Sequence, residues 1–575
     1  MTVGHWIVHA ETRGAKPAIE YKTKNTWHKL TWSQYINKVI SAHLFFKNNA
    51  ITKKTHVGLM SATRWEWAAL DLALLGSGAI VVPVYPDLND EDLLYIINHS
   101  DIRFLIIEQE IHFLQINRIK IGFTKDVKIF QLSNIDFNLH ISTKSKKIFF
   151  DLCKSIDLKS PATIVYTSGT TGKPKGAVLL HEALVSEITE GFLLFGVKPS
   201  YKSLTFLPFA HILGRIEHWG SCWNGHTIAY AESAEKIKLN LKEVKPDFII
   251  AVPRVFEKIY SSIMSQIENI KYRQTVFSLA LETARQVQKY RKTKEALPWV
   301  LLLKHEVLNK IAFAPIHNAF GGNLKFAICG GAPMSAELVE FFFCCGLPIL
   351  EGYGLTETCA AVTVNSLNNY QIGTVGRPIG DVQFKFAEDG EILIKSKKCL
   401  TEYYKAPEET AKSIADGYFA TGDIGILTEQ GYLKITDRKK DLIKTAGGKY
   451  VAPQKLEGLL KHDPLISQVL IHGDQKKFIC VLITFDALQL KQWALSQHIS
   501  FKNITELYQN RQFKLRLQKH IKNINSKLST FEAIKKFEII PDEWTTENQS
   551  LTPSLKVKRK FLETRYADLI REIYE

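Results

Sequence analysis

The chain has 575 residues, 45% of them hydrophobic and 23% charged, with a formal net charge of +16. That length points to several domains, and that composition excludes a disordered polymer. The positive balance suits a nucleic acid, an anionic membrane surface or polyanionic small molecules. It suits a lysine-rich solvated surface equally well, because net charge governs association rather than fold. The basic residues form no long uninterrupted run, and no zinc finger, RNP-like aromatic motif or basic zipper is legible, so no nucleic acid partner is expected.

The opening segment, Met1 to Trp6, lacks a basic stretch ahead of an apolar one, so no secretory signal is expected. Thr2 excludes a myristoylation start. The longest apolar stretch, Ala68 to Val84, contains Asp71, Gly76, Ser77 and Gly78. It reads as a buried helix, a turn and a strand rather than a membrane span, which needs about 20 apolar residues. Short β-rich runs at Val57–Met60, Ala79–Val84, Phe104–Ile107 and Phe248–Val252 alternate with amphipathic segments such as Trp65–Leu75 and Asp90–His99. This alternation predicts α/β layers with largely parallel sheets. Phe256 to about Phe313 is helical in pattern, and about 373–435 turns to short strands and tight turns, predicting a small antiparallel or barrel-like unit. A compact α+β segment follows Asp437. The eight cysteines show no C-x-x-C pair and no zinc spacing, which predicts reduced thiols.

The chemistry concentrates first in Tyr166 to Gly176. Between two apolar runs stand Thr167, Ser168, Thr170 and Thr171, with Gly169, Gly172, Lys173 and Lys175. Glycines let backbone N–H groups turn toward an anion, hydroxyls donate hydrogen bonds and lysines supply charge, as a phosphate-holding loop requires. A polar hairpin turn has the same composition. The segment is not a Walker A loop.

Together with four later segments, this loop resembles the signature of the AMP-forming adenylating enzymes: acyl-CoA synthetases, luciferases and peptide-synthetase adenylation domains. Those segments are Tyr353–Thr358, Thr421–Asp423, Asp437–Lys444 and Thr552–Arg559. The resemblance implies a large N-terminal domain, 1–436, of layered α/β subdomains with the β-rich unit at about 373–435. A smaller mobile α+β C-terminal domain, 437–575, would follow. It also implies two steps. A carboxylate attacks the α-phosphate of ATP to give an acyl-adenylate and pyrophosphate, and a thiol, usually that of CoA, then displaces AMP.

Roles follow by resemblance. Thr167, Ser168, Gly169, Thr170, Thr171 and Lys175 hold the pyrophosphate end. Thr356 contacts the α-phosphate, and Glu357 binds Mg2+, a hard cation that prefers carboxylate and phosphate oxygens. Alone, Glu357 reads as a glutamate favoured by a helix start. Tyr353 stacks on adenine, with Gly330, Gly331 and Ala332 as the opposite wall; those glycines also suit a strand-end turn. Asp423 accepts from the ribose hydroxyls, supported by Arg438, although an Asx-turn residue and a surface ion pair explain the two as simply. Lys440 is the hinge residue. Lys556 bridges the attacking carboxylate and the α-phosphate, or belongs to a basic tail. His211, within Leu207–Ile212, lies near the carboxylate and thiol path or is structural.

The finer resemblance is to long-chain fatty acyl-CoA synthetases, through Val252–Tyr260, Val82–Pro86, Tyr230–Ser233 and Gly447–Pro453. It implies fatty acid, ATP and CoA as substrates; the scattered cysteines predict a cytoplasmic protein, and the positive charge predicts a surface serving ATP, CoA and peripheral contact with an anionic membrane. Two alternatives stand beside it: transfer of the acyl group to a carrier-protein pantetheine, and a non-catalytic lipid- or nucleic-acid-binding relative. The loop after Glu391–Ile394 departs from the family pattern. Lys395 and Ser396 replace the usual Arg-Gly, and Thr401–Tyr404 lacks a usual glycine. This loop is expected away from the core chemistry, bearing on the C-terminal interface and CoA docking.

Overall fold

A computed structural model describes residues 2–167, 173–268, 271–293, 295–439, 441–545, 548–552 and 557–575. The apolar stretch resolves as expected into a helix, α1 (Trp65–Gly76), a turn and the strand Ile80–Val84. α1 carries apolar residues all round and is buried all round, as such a helix must be.

Two large sheets form the layers. The first has seven strands, and its parallel part runs Lys128–Gln131, Phe104–Ile107, His56–Met60, Ile80–Val84 and β1 (Pro161–Thr167). β2 (Lys175–Leu180) then pairs antiparallel with β1, opposing Thr167 to Lys175, and Glu402–Tyr403 adds an antiparallel edge to β2. The polar hairpin-turn reading of Tyr166–Gly176 thus agrees with the antiparallel pairing of β1 and β2, while residues 168–172 between them lie outside the described residues.

Helix α2 (Ile212–Asn224) leads back toward the second sheet, of nine strands. Its central strands, Thr227–Tyr230, Lys202–Thr205, Phe248–Ala251, Phe326–Cys329 and β3 (Ile349–Leu355), are parallel. The helical region lies between Phe248–Ala251 and Phe326–Cys329 as α3 (Pro253–Glu268), α4 (Lys271–Thr293), α5 (Trp299–Ala312) and α6 (Ala314–Ala319). The β-rich unit is a five-stranded antiparallel sheet of Gln383–Phe386, Glu391–Lys395, Ile414–Ala415, β4 (Tyr418–Leu427) and β5 (Leu433–Arg438). The short helix α7 (Pro407–Ser413) precedes its third strand. Beyond Arg438 the chain builds a separate core on the three strands Ile466–His472, Ile479–Phe485 and Ile534–Ile539.

One buried polar knot ties α1, α2 and β1 together. Asp71 and Arg215 are both wholly buried, and Arg215 donates to Asp71 Oδ1 at 2.5 Å and to Thr163 Oγ1 at 2.7 Å. Trp219 Nε1 donates to Asp71 Oδ2 at 2.8 Å. Each ion thus has a partner and further hydrogen bonds, the condition under which a buried pair is tolerated, although Arg215 Nε itself has no hydrogen-bond partner. All eight cysteines are free; seven are buried and Cys399 is partly exposed. No helix among the described residues is long and apolar enough to cross a membrane.

Candidate active site

A cleft of about 3470 Å³ gathers the motif residues. Thr167 and Lys175 from the β1–β2 hairpin, Gly330 to Ala332 after Phe326–Cys329, Tyr353 to Glu357 at the end of β3, His211, Asp423 and Arg438 all line it. The parallel strands of the nine-stranded sheet end here, at the edge where α/β sheets offer backbone groups to ligands. Ser168, Gly169, Thr170, Thr171, Lys440 and Lys556, which carry sequence-based expectations, lie outside the described residues.

The nucleotide-type slot is built from three side chains already in register. Asp423 on β4 faces Arg438 across the strand pair. Arg438 Nε donates to Asp423 Oδ1 at 2.8 Å, and Tyr353 Oη donates to Oδ2 at 2.7 Å. Asp423 is held from behind as well, its own N–H donating to Thr421 Oγ1 at 3.1 Å. The carboxylate is thereby fixed in place at the cleft wall. Gly331 sits at φ +82, a left-handed conformation that a side chain would strain. Gly354 is more constrained still: a Cβ there would lie 1.5 Å from the Ala360 carbonyl oxygen, so the turn after β3 closes only on glycine.

Thr356 and Glu357 occupy a single 3-10 turn. Thr358 stabilises it, accepting from Leu355 N at 2.8 Å and donating to Ala360 O at 3.0 Å. The Lys395–Tyr404 loop, expected away from the chemistry, is wrapped against this turn instead. Tyr403 Oη donates to Glu357 Oε1 at 3.0 Å, and Leu400 N donates to the Glu357 carbonyl at 2.6 Å. Lys398, wholly buried, anchors the loop by donating to Glu187 Oε2 at 3.0 Å and to the Ala361 carbonyl at 3.2 Å. The physical reason is the sheet edge. Glu402–Tyr403 pairs with β2, which carries the loop under the hairpin and onto Glu357.

Lys175 bonds to Glu409 on α7 and lies 5.3 Å from the Tyr403 ring centre. The hairpin lysine is therefore held by a carboxylate that an incoming anion would have to displace. His211 caps α2, its Nδ1 accepting from Leu213 N at 3.1 Å, which fixes that nitrogen as the acceptor. His211 thus caps α2 and lines the cleft.

Sequence reasoning gave no role to two cleft carboxyls, Glu351 and Asp437, besides Tyr403 and Glu409. Burial pushes the Glu351 carboxyl up to about 8, and its Oε2 has no hydrogen-bond partner. Burial, reinforced by the Asp441 and Glu457 carboxylates, pushes Asp437 up to about 7 against the N–H of Arg438. Leu400 contributes only a backbone N–H. Asp437 opens the Asp437–Lys444 motif but was given no role of its own; Glu351 carries no motif signal and could have been flagged as an acidic residue inside an apolar strand. Among the described residues, no group of three or more His, Cys, Asp and Glu is arranged to hold a metal ion.

With that geometry in place, kinship can be assigned. Residues 7–404 match the AMP-binding enzyme family, and residues 440–575 match the AMP-binding enzyme C-terminal domain. The chain belongs to the AMP-binding enzyme family. It is 33% identical over 558 residues to long-chain-fatty-acid–CoA ligase FadD15 of Mycobacterium bovis, covering 95% of this chain and 92% of that one. It is 28% identical over 554 residues to the peroxisomal long chain acyl-CoA synthetase 7 of Arabidopsis thaliana, covering 90% and 77%. In fold it is similar to the adenylation domain of a carboxylate reductase from Mycobacterium chelonae (TM-score 0.76, 19% identity, 100% and 91% covered). It is also similar to a fatty acyl CoA synthetase of Mycobacterium tuberculosis (TM-score 0.60, 20% identity, 99% and 99% covered).

Proposed function

We propose that the protein is a long-chain fatty acid–CoA ligase. It activates a fatty acid with ATP to acyl-AMP and pyrophosphate, and then forms acyl-CoA and AMP. The observation that carries this reading is the meeting, in one cleft, of the Tyr353–Asp423–Arg438 cluster with the Thr356–Glu357 turn and the glycine-rich hairpin. The cleft also extends past apolar side chains of α3 and α6, among them Ile259, Ile263 and Ala319. An acyl chain laid along such a wall gains about 0.8 kcal/mol per buried methylene, so chain length would carry real affinity.

In this reading Asp423 accepts from the ribose hydroxyls while Arg438 keeps it oriented. Tyr353 stacks on adenine against Gly330, Gly331 and Ala332, and Thr356 donates to the α-phosphate. Thr167, Ser168, Gly169, Thr170 and Thr171 cradle the pyrophosphate end, and Lys175 leaves Glu409 to join them. Lys556 bridges the attacking carboxylate and the α-phosphate. His211 presents its Nε2–H side toward the acyl and thiol path. The chain then works as two parts, 1–436 and 437–575, the second turning about Lys440.

Glu357 fits a magnesium ion. It offers a hard carboxylate at the cleft, already oriented by Tyr403, and the lack of a three-ligand protein cluster among the described residues suits an ion that takes its other ligands from phosphate and water. When bound there, magnesium would offset the charge of the triphosphate. A cytoplasmic protein in peripheral contact with an anionic membrane face belongs to the same reading.

The test is to incubate the protein with ATP, magnesium, CoA and acids from short to very long, and to record nucleotide products. AMP release that requires a long-chain acid and yields its CoA thioester supports the reading. Release of ADP, or an untouched nucleotide with every acid, overturns it. Replacing CoA with a pantetheinylated carrier protein separates the carrier-ligase alternative.

A further inference from the structure

We infer that the α4–α5 hairpin is the surface on which this protein docks to an anionic lipid bilayer, an assignment that deepens, and rests on, the fatty-acid reading above. Trp299, Leu303, Val307 and Ile311 stand four residues apart on α5, so they share one face. They are 75%, 56%, 50% and 62% exposed, and Val300 beside them is 57% exposed. The opposite side of α5 is satisfied: Leu308 packs on the core and Ala312 is buried. The outward stripe is thus surplus to folding. Contiguous exposed apolar surface of this kind marks a contact with something.

Charge selects the partner. The sequence of α4 carries Lys271, Arg273, Arg285, Lys289, Arg291 and Lys292 against Glu282 alone. On α5, Lys304 borders the stripe on one side, Glu306 borders it on the other and Lys310 stands within it; all three are exposed, so the cationic excess of the hairpin comes chiefly from α4. An apolar helix face interspersed with lysine, beside a basic neighbouring helix and with a tryptophan at its end, is the pattern of a helix lying in the bilayer interface, its rings at headgroup level and its cations toward anionic lipids. A second copy would bring one strongly basic hairpin against another, and like charges repel. A nucleic acid would leave the apolar stripe unburied.

Position gives the surface a use. α3 contacts α4, and α5 contacts α6. The flanking helices α3 and α6 line the apolar part of the cleft, through Ile259, Ile263, Pro315 and Ala319. A bilayer under the hairpin would bring the acids dissolved in it beside that wall, sparing the long chain a passage through water.

The experiment is co-sedimentation of the full chain with phosphatidylcholine vesicles, with and without phosphatidylglycerol. The comparison is wild type against Leu303→Glu/Val307→Glu, Lys304→Glu/Lys310→Glu and, as a milder change, Trp299→Ala. Wild type is expected to bind the anionic vesicles, roughly tenfold more weakly when phosphatidylglycerol is left out or salt is raised. Each double variant should lose roughly tenfold on anionic vesicles, and Trp299→Ala should lose part of that. AMP release with a short, water-soluble acid should be unchanged in all three. Absence of vesicle binding, equal binding to both compositions, or variants that bind as wild type would each overturn the assignment. So would a dimer in sedimentation velocity that Leu303→Glu/Val307→Glu breaks, because the stripe would then be a self-interface. Vesicle binding by a protein that releases no AMP with any acid would overturn the ligase reading and leave the docking surface standing.

Discussion

Tyr403 reaches Glu357 from 46 positions away in the chain and is the side chain that sets the orientation of that carboxylate. A hydrogen bond to a charged group is worth about 1.5–3 kcal/mol. Tyr403→Phe should therefore lower kcat/KM for ATP roughly tenfold or more, with little change in melting temperature, since the ring remains. Steady-state AMP release at varied ATP reads this directly, and an unchanged kcat/KM would mean that Glu357 orients itself. Glu351 makes a second, pH-dependent case. Its carboxyl, pushed up by burial to about 8, favours the protonated form in the fold. The sign follows: a group whose folded value is raised contributes stability fully below its ordinary value, and loses it as pH climbs through the folded value. Glu217, buried and pushed up to about 7, adds in the same direction. Thermal stability should fall between about pH 4.5 and about pH 8 and level off above, and Glu351→Gln should flatten the upper part of that fall, above about pH 7. A melting profile of Glu351→Gln that parallels wild type would reject this.

At the scale of elements, the buried Asp71–Arg215 pair joins α1, α2 and β1, and so ties the helix capped by His211 to the strand leading into the phosphate-type hairpin. Removing one partner leaves an uncompensated buried charge, a loss of about 3–5 kcal/mol. Asp71→Ala should lower the denaturation midpoint accordingly, whereas Asp71→Leu with Arg215→Met should lose much less. Equal losses would show that the charges themselves are dispensable. This pair also marks where sequence reading stops. The residues of the hairpin, of Tyr353–Thr358 and of Asp423 and Arg438 were legible as motifs because each is local, or bound by order along the chain, while the turn at Thr356–Glu357 and the Asp423–Arg438 strand register were not. The helix–turn–strand at Ala68–Val84 was legible because its apolar residues run unbroken. Asp71 and Arg215 are 144 residues apart. Lys398 is 211 from Glu187, and Lys175 is 234 from Glu409. No spacing rule connects such pairs. The Lys395–Tyr404 loop was misplaced for the same reason: its departure from the family pattern was visible, but its pairing with β2 depends on how the whole seven-stranded sheet assembles.

Over the whole molecule, the cleft is walled by both the large part and the C-terminal part, including Gly330 and Tyr353 on one side and Lys455 and Gln454 on the other. The proposed division of labour predicts a split between half-reactions. Lys556→Ala should abolish adenylation, read as pyrophosphate exchange into ATP, yet spare thioester formation from supplied acyl-adenylate. Equal loss of both would deny Lys556 its specific role. The eight unpaired thiols have a practical consequence for following that motion. Seven are sealed within the interior and the eighth, Cys399, is only partly open, with burial holding its thiol up at about 12. Thiol-reactive dyes should scarcely label the native protein, because the thiolate is the reactive form. A single cysteine engineered on the outer face of each half would then take up fluorophores cleanly, without first stripping the native ones. Energy transfer between the two dyes would then test in real time whether the C-terminal part swings, as the proposed function requires.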